Sequence, residues 1–186
     1  MRSTILAFLL AATAFAQSGE VSVSMGKSSM RNNPIVNDTS AGVASIGTNF
    51  HMGIRLTINQ WKFMGHEIGY GYNHGSLSYS AGELGMSIHQ GVYNFLAYAT
   101  PEGSRIRPFA TGGVHFSSFR PSGSSGVATK FGYNYGGGIK VKVKDSWLVR
   151  FDVRDYATGK PDFFGVSRTS GPLRQLVVSA GVGFGF

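Results

Sequence analysis

His115-Phe116-Ser117 sets an imidazole and a hydroxyl two residues apart, so a strand through them carries both on one face. That pairing is the start of an acyl-transfer site, with His115 as base and Ser117 as nucleophile. Such a site needs a carboxylate to orient the imidazole, and no Asp or Glu stands beside either residue. His51, His66, His74 and His89 are scattered over separate segments, without the close spacing of a metal-ligand motif. Asp155 and Asp162 are the only acids around the last interstrand stretch, too few for a proteolytic set of paired carboxylates. The glycine-rich runs lead into no helix, so they are not phosphate loops. These residue types predict no catalytic set, no cofactor and no metal site.

Charge alternation is the stronger signal. Arg150, Asp152 and Arg154 alternate with Val149, Phe151 and Val153. Asn134, Lys140 and Lys142 oppose Tyr133, Tyr135, Ile139, Val141 and Val143, and Arg55 and Glu67 hold the same polar phase on two earlier segments. A soluble core would not accept such a face. A closed ring in lipid would, with its apolar face outward and its polar face packed inside. The expected lumenal network is Arg55, Glu67, Lys140, Lys142, Arg150, Asp152 and Arg154, joined by Glu20 and Arg107. Eight strands leave an interior that side chains can fill, so this network predicts a plug rather than a pore.

The elements that would hold these residues are strands. Twenty-seven Gly, 14 Phe and 8 Tyr stand beside only 14% charged residues, a composition that favours strands over helices. Alternation marks eight segments, near 20–27, 46–58, 63–73, 86–99, 107–119, 130–143, 147–156 and 174–186. In the second, Ile46, Thr48, Phe50, Met52, Ile54, Leu56 and Ile58 share one phase. The intervals between segments alternate long and short, with 74–85 one of the long ones. That rhythm predicts an all-β, eight-stranded antiparallel up-and-down transmembrane barrel, with periplasmic turns and external loops. Trp61, Phe63, Trp147 and Phe186 fall at the turn ends, where rings settle at the membrane interface.

The first 16 residues read as a cleaved signal peptide: Arg2, an apolar Ile5 to Ala14, then Ala14-Phe15-Ala16. Residues 17–186 are then one barrel domain in the bacterial outer membrane. With no Cys there is no disulfide framework. The formal charge of +8 asks for an acidic partner. For an exported chain that partner is lipopolysaccharide phosphate and outer-membrane lipid, not nucleic acid. Lys27, Arg31, Arg120, Lys160 and Arg168 fall in the expected loops against Asp38, Glu83 and Asp162. A monomer is expected.

Several stretches resemble one known family. They are Glu67-Ile68-Gly69-Tyr70-Gly71-Tyr72, Pro108 through Val114, Tyr135 through Ile139, Lys144 through Trp147, and Arg150 through Tyr156. All are similar to outer-membrane β-barrel domains of the OmpA-like and surface-antigen-like kind. The final alternation ending in Phe184 and Phe186 resembles the terminal signal that the outer-membrane assembly machinery recognises. The resemblance implies fold and location but no catalytic residues. A lipid A-modifying barrel is the alternative. However, Ser118 stands where the deacylases carry Asn after the nucleophile, which leaves the non-enzymatic reading ahead.

Overall fold

Period-two alternation has one stable outcome when both faces are long and the chain must satisfy every backbone group: the sheet closes. The computed structural model describes residues 18–31, 34–38, 42–47, 49–79, 82–123, 126–161 and 171–186. Ten strands are present: β1 (Gly19–Arg31), β2 (Pro34–Asp38), β3 (Gly42–Ile46), β4 (Asn49–Gln60), β5 (Met64–Tyr79), β6 (Gly82–Tyr98), β7 (Ile106–Pro121), β8 (Ala128–Lys144), β9 (Trp147–Thr158) and β10 (Leu173–Gly185). Eight of them, β1 and β4 through β10, form a closed antiparallel ring in which each pairs with its neighbours. The β1–β10 pairing closes the ring in unbroken register from Glu20↔Gly185 to Arg31↔Arg174. The fold is an eight-stranded barrel.

The two extra strands make a hairpin that adds to β5 through Ser45↔Ser78 and Ile46↔Leu77. Ile46 therefore does not share a strand with Phe50, Met52, Ile54 and Leu56, as its phase suggests. The face expected from alternation does not carry across the break: Ile46 is buried inside the ring, while Phe50, Met52, Ile54 and Leu56 face outward. A second difference lies at 74–85, expected as a loop. Strands β5 and β6 run through it to the pair Tyr79↔Gly82. Glycine and serine are weak strand formers, yet the pairing of the two strands with each other, and of β5 with β3 at Leu77 and Ser78, overrides that preference. The expected leader, residues 1–16, lies outside the described residues, as do Asp162 and Arg168.

The ring is turned inside out relative to a soluble protein. Val23, Ile54, Phe151 and Val182 point outward and are about half exposed, at 52%, 49%, 52% and 48%. Their strand neighbours Ser22, Arg55, Asp152 and Gly181 face inward. Such an outer wall meets hydrocarbon. Trp61 and Trp147 sit exposed at the turn end, and the Trp147 ring stands edge-on to Phe184 at 5.5 Å.

Candidate functional site

The interior stacks in layers along the barrel axis. At the turn end Glu20 on β1 is held by Lys140 on β8, which also donates to the Tyr98 hydroxyl at 2.9 Å. Asn59 donates to the same carboxylate at 2.9 Å. Arg107 on β7 lies flat over the Tyr98 ring, 3.7 Å from its centre, with Nη1 3.9 Å from Glu20. Each cation thus has an acidic partner, an aromatic face, or both, as burial requires.

The next layer is the densest. Strand β9 turns Arg150, Asp152 and Arg154 inward by simple alternation, and β4 and β5 supply Arg55 and Glu67. Arg154 Nη1 lies 2.8 Å from Glu67 Oε1 and its Nη2 lies 2.9 Å from Asp152 Oδ1. Arg150 makes the matching pair, 3.0 Å to Glu67 and 2.8 Å to Asp152. Arg55 stands further off, 3.8 Å from Glu67 and 3.6 Å from Asp152. All five side chains are at most 4% exposed. Three cations meet two anions, and hydroxyls take up remaining donors: Arg55 donates to Ser24 and Arg150 to Ser22, both at 3.1 Å. Thr57 donates to Glu67 at 3.3 Å.

Glycine makes room for these long side chains. Gly136 lies directly across from Arg154. A Cβ there would stand 2.2 Å from the Val153 carbonyl oxygen and 2.8 Å from the Arg154 Cα. At Gly69 the added atom would reach to within 3.2 Å of the Arg55 side chain. The glycine-rich phase of β5 and β8 is therefore the wall against which the arginines lie.

A third layer is uncharged. His51 Nδ1 meets Asn73 Oδ1 at 2.9 Å, Asn73 donates to Gln90 at 2.9 Å, and Gln90 donates to Ser117 at 3.1 Å and to Gln175 at 2.8 Å. Gln175 then donates to Ser28 at 3.0 Å. The chain of amides crosses from β4 through β5, β6 and β10 to β1. Above it, toward the loops, the inward face becomes apolar. Met30, Ile46, Leu77, Met86, Ile88, Phe119 and Leu173 close into one buried cluster. One small cavity lies between the charged and amide layers, beside His51, Arg55 and Gln90, with about 10 Å³ of room, close to that of a single water.

Of the seven network residues read from the sequence, Arg55, Glu67, Arg150, Asp152 and Arg154 converge in one layer, and Lys140 joins Glu20 in the layer below. Lys142 is not among them. It lies exposed at the turn end, where the β8–β9 register shifts between Lys142 and Lys144. Charge selection missed the amide layer and the apolar cap, although Asn73, Gln90 and Gln175 share the inward phase of Glu67, Asn94 and Ser179. His115 and Ser117 both face the lumen but do not bond to each other. His115 Nε2 meets Thr158 Oγ1 at 2.8 Å, its ring packs edge-on to Tyr156, and Ser117 is engaged by Gln90. Both are buried, at 3% and 0% exposure, away from any lipid ester. Among the described residues no three His, Asp or Glu side chains gather as a metal site.

Phe184 and Phe186 stand on the outer wall at the turn end, 44% and 68% exposed. The backbone of Phe186 exchanges hydrogen bonds with Gly19, N–H to O at 2.8 Å in one direction and 2.9 Å in the other. The last residue thus completes the seam below β10.

The same architecture recurs in solved structures. Neisserial surface protein A superposes with a TM-score of 0.65 at 14% identity, covering 91% of this chain and 97% of that one. Outer Membrane Protein W of E. coli matches at 0.55 and 18% identity, over 92% of this chain and 100% of its own. The N-terminal β-barrel domain of Pseudomonas aeruginosa OprF matches at 0.53 and 14% identity, over 91% and 97%. No curated protein sequence matches this one. The family model of the outer membrane protein beta-barrel domain matches residues 3–186, nearly the whole sequence, and the chain belongs to that family.

Proposed function

We propose that this is a non-enzymatic outer-membrane barrel whose interior is a structural lock and whose working surface is the loop end. The observation that carries this reading is the Glu67–Arg154 pair at 2.8 Å, which ties opposite walls of the ring across the lumen. Two layers of buried charge, a layer of bonded amides and an apolar cap fill the interior in series, which favours rigidity over conduction. The alternative, lipid A deacylation at His115 and Ser117, has no support, since each is committed to another buried partner. The exposed surface partners are lipopolysaccharide and other surface polymers, met by the loop-end residues. The terminal Phe184 and Phe186 serve the assembly machinery, and the first 16 residues serve export.

Protein refolded into lipid vesicles and fused to a planar bilayer tests the lock. A heat-dependent shift on a detergent gel first establishes that the barrel has closed. Folded protein that gives no steady current supports the reading. A stable ohmic conductance would show that the layers part and would overturn it.

A further inference from the structure

The outer wall at the β1–β10 seam carries a charge arrangement that the lumen does not explain. Outward residues on β1 are apolar at Val21, Val23 and Met25, then basic at Lys27 and Arg31, both exposed. The register sets Arg31 directly opposite Arg174 on β10. Like charges facing each other across a strand pair repel. Arg174 cannot simply swing away. It donates from Nε to Asp155 Oδ1 at 2.9 Å and from Nη2 to the Tyr135 hydroxyl, and lies 5.5 Å over the Tyr135 ring. Asp155 thus serves Arg174, and the seam keeps an excess of positive charge at Lys27 and Arg31.

Turnward of these cations the wall has two apolar grooves. One, of about 610 Å³, runs over β1, β4 and β5 past Met25, Met52, Ile54 and Tyr72. The other, of about 510 Å³, runs over β8, β9 and β10 past Ile139, Phe151, Val153 and Val178. Met25 and Ala180 line both. Ala180 is the small outward residue between Val178 and Val182, and its size is what lets the grooves meet at the seam. Two hydrophobic channels converging beneath three cations match a molecule with an anionic head and at least two chains.

We propose that the β1–β10 seam binds one phosphorylated lipid of the loop-side leaflet, its phosphate among Lys27, Arg31 and Arg174 and its chains in the grooves that join at Ala180. The proposal rests on the reading that this wall spans a membrane. Excess charge on this one seam, above grooves made for chains, argues for a bound lipid rather than a general attraction to anionic surfaces.

The test uses the full chain refolded into phosphatidylcholine vesicles carrying a trace of spin-labelled phosphatidic acid or spin-labelled phosphatidylcholine. The fraction of immobilised label gives the relative association of each lipid. The expected result is a several-fold preference for phosphatidic acid. Lys27→Gln with Arg31→Gln removes it. Ala180→Phe lowers immobilised phosphatidic acid without changing charge, and Lys144→Gln at the turn end leaves the preference intact. Equal immobilisation of the two lipids, or an unchanged preference in the double variant, overturns the site while the gel shift still reports a folded barrel. Loss of that shift in the unsubstituted chain instead overturns the membrane reading, and the site with it.

Discussion

Arg154 on β9 and Glu67 on β5 meet at 2.8 Å although their strands stand diametrically opposite in the ring, with three strands between them in either direction. Their bond spans the full width of the lumen. It is made possible by Gly136, across from Arg154, and shared with Asp152 on the same strand as the arginine.

Removing the carboxylate of this pair leaves buried charge without compensation. Glu67→Gln strands three arginines on Asp152 alone and is expected to cost about 3–5 kcal/mol. Arg154→Gln leaves two arginines against two carboxylates and costs less, about 1.5–3 kcal/mol for its charged hydrogen bonds, and the double variant costs less than the sum, with a coupling of roughly 0.5–3 kcal/mol. Lys142→Gln, exposed and outside the network, should stay within about 0.5 kcal/mol. Urea unfolding in lipid vesicles measures all four. Additive effects for Glu67 and Arg154 would mean that they do not interact.

Close approach of backbone predicts a contrast between two glycines. Gly136→Ala places a methyl 2.2 Å from the Val153 oxygen and should abolish or sharply destabilise the folded form. Gly112→Ala, whose nearest neighbour would be 3.8 Å away, should fold as the parent does. The proportion migrating as the unboiled, compact species reads both. Equal yields would show that the β8–β9 wall can open around a side chain.

Ser117 offers a test of chemistry against packing. Ser117→Ala deprives Gln90 of one acceptor, and the expected loss is about 1 kcal/mol of stability. Lipid A acylation in cells carrying the variant should equal that of the parent. A change in acylation with stability preserved would return the residue to a catalytic role.

The terminal residue separates two contributions. Phe186→Ala keeps both backbone hydrogen bonds to Gly19 and loses only the ring, whereas deletion loses both. If the ring is the assembly signal, the two variants fall equally in outer-membrane level, while refolding in vitro suffers only from deletion. Undiminished outer-membrane levels of Phe186→Ala would remove the ring from assembly.

The inward choice of the charged strand residues was legible in the sequence, because side chains alternate with period two and the chain cannot change phase within a strand. That is why Arg55, Glu67, Arg150, Asp152 and Arg154 were identified together without knowledge of their partners. Ile46 misled because its apolar side chain continued the phase of Phe50 across the break between β3 and β4, whereas beyond that break the same phase faces inward, into the apolar cap. Lys142 keeps the phase of Lys140 and lines the same mouth of the barrel, but it stands one step nearer the end of β8, beyond the partners that bury Lys140. The long reach of β5 and β6 through residues 74–85 came from pairing, which overrides the weak preferences of glycine and serine. Which charges meet was decided by ring closure alone. Closure set β5 against β9 and brought Arg31 beside Arg174, contacts between residues 83 or more positions apart in the sequence that no local pattern encodes.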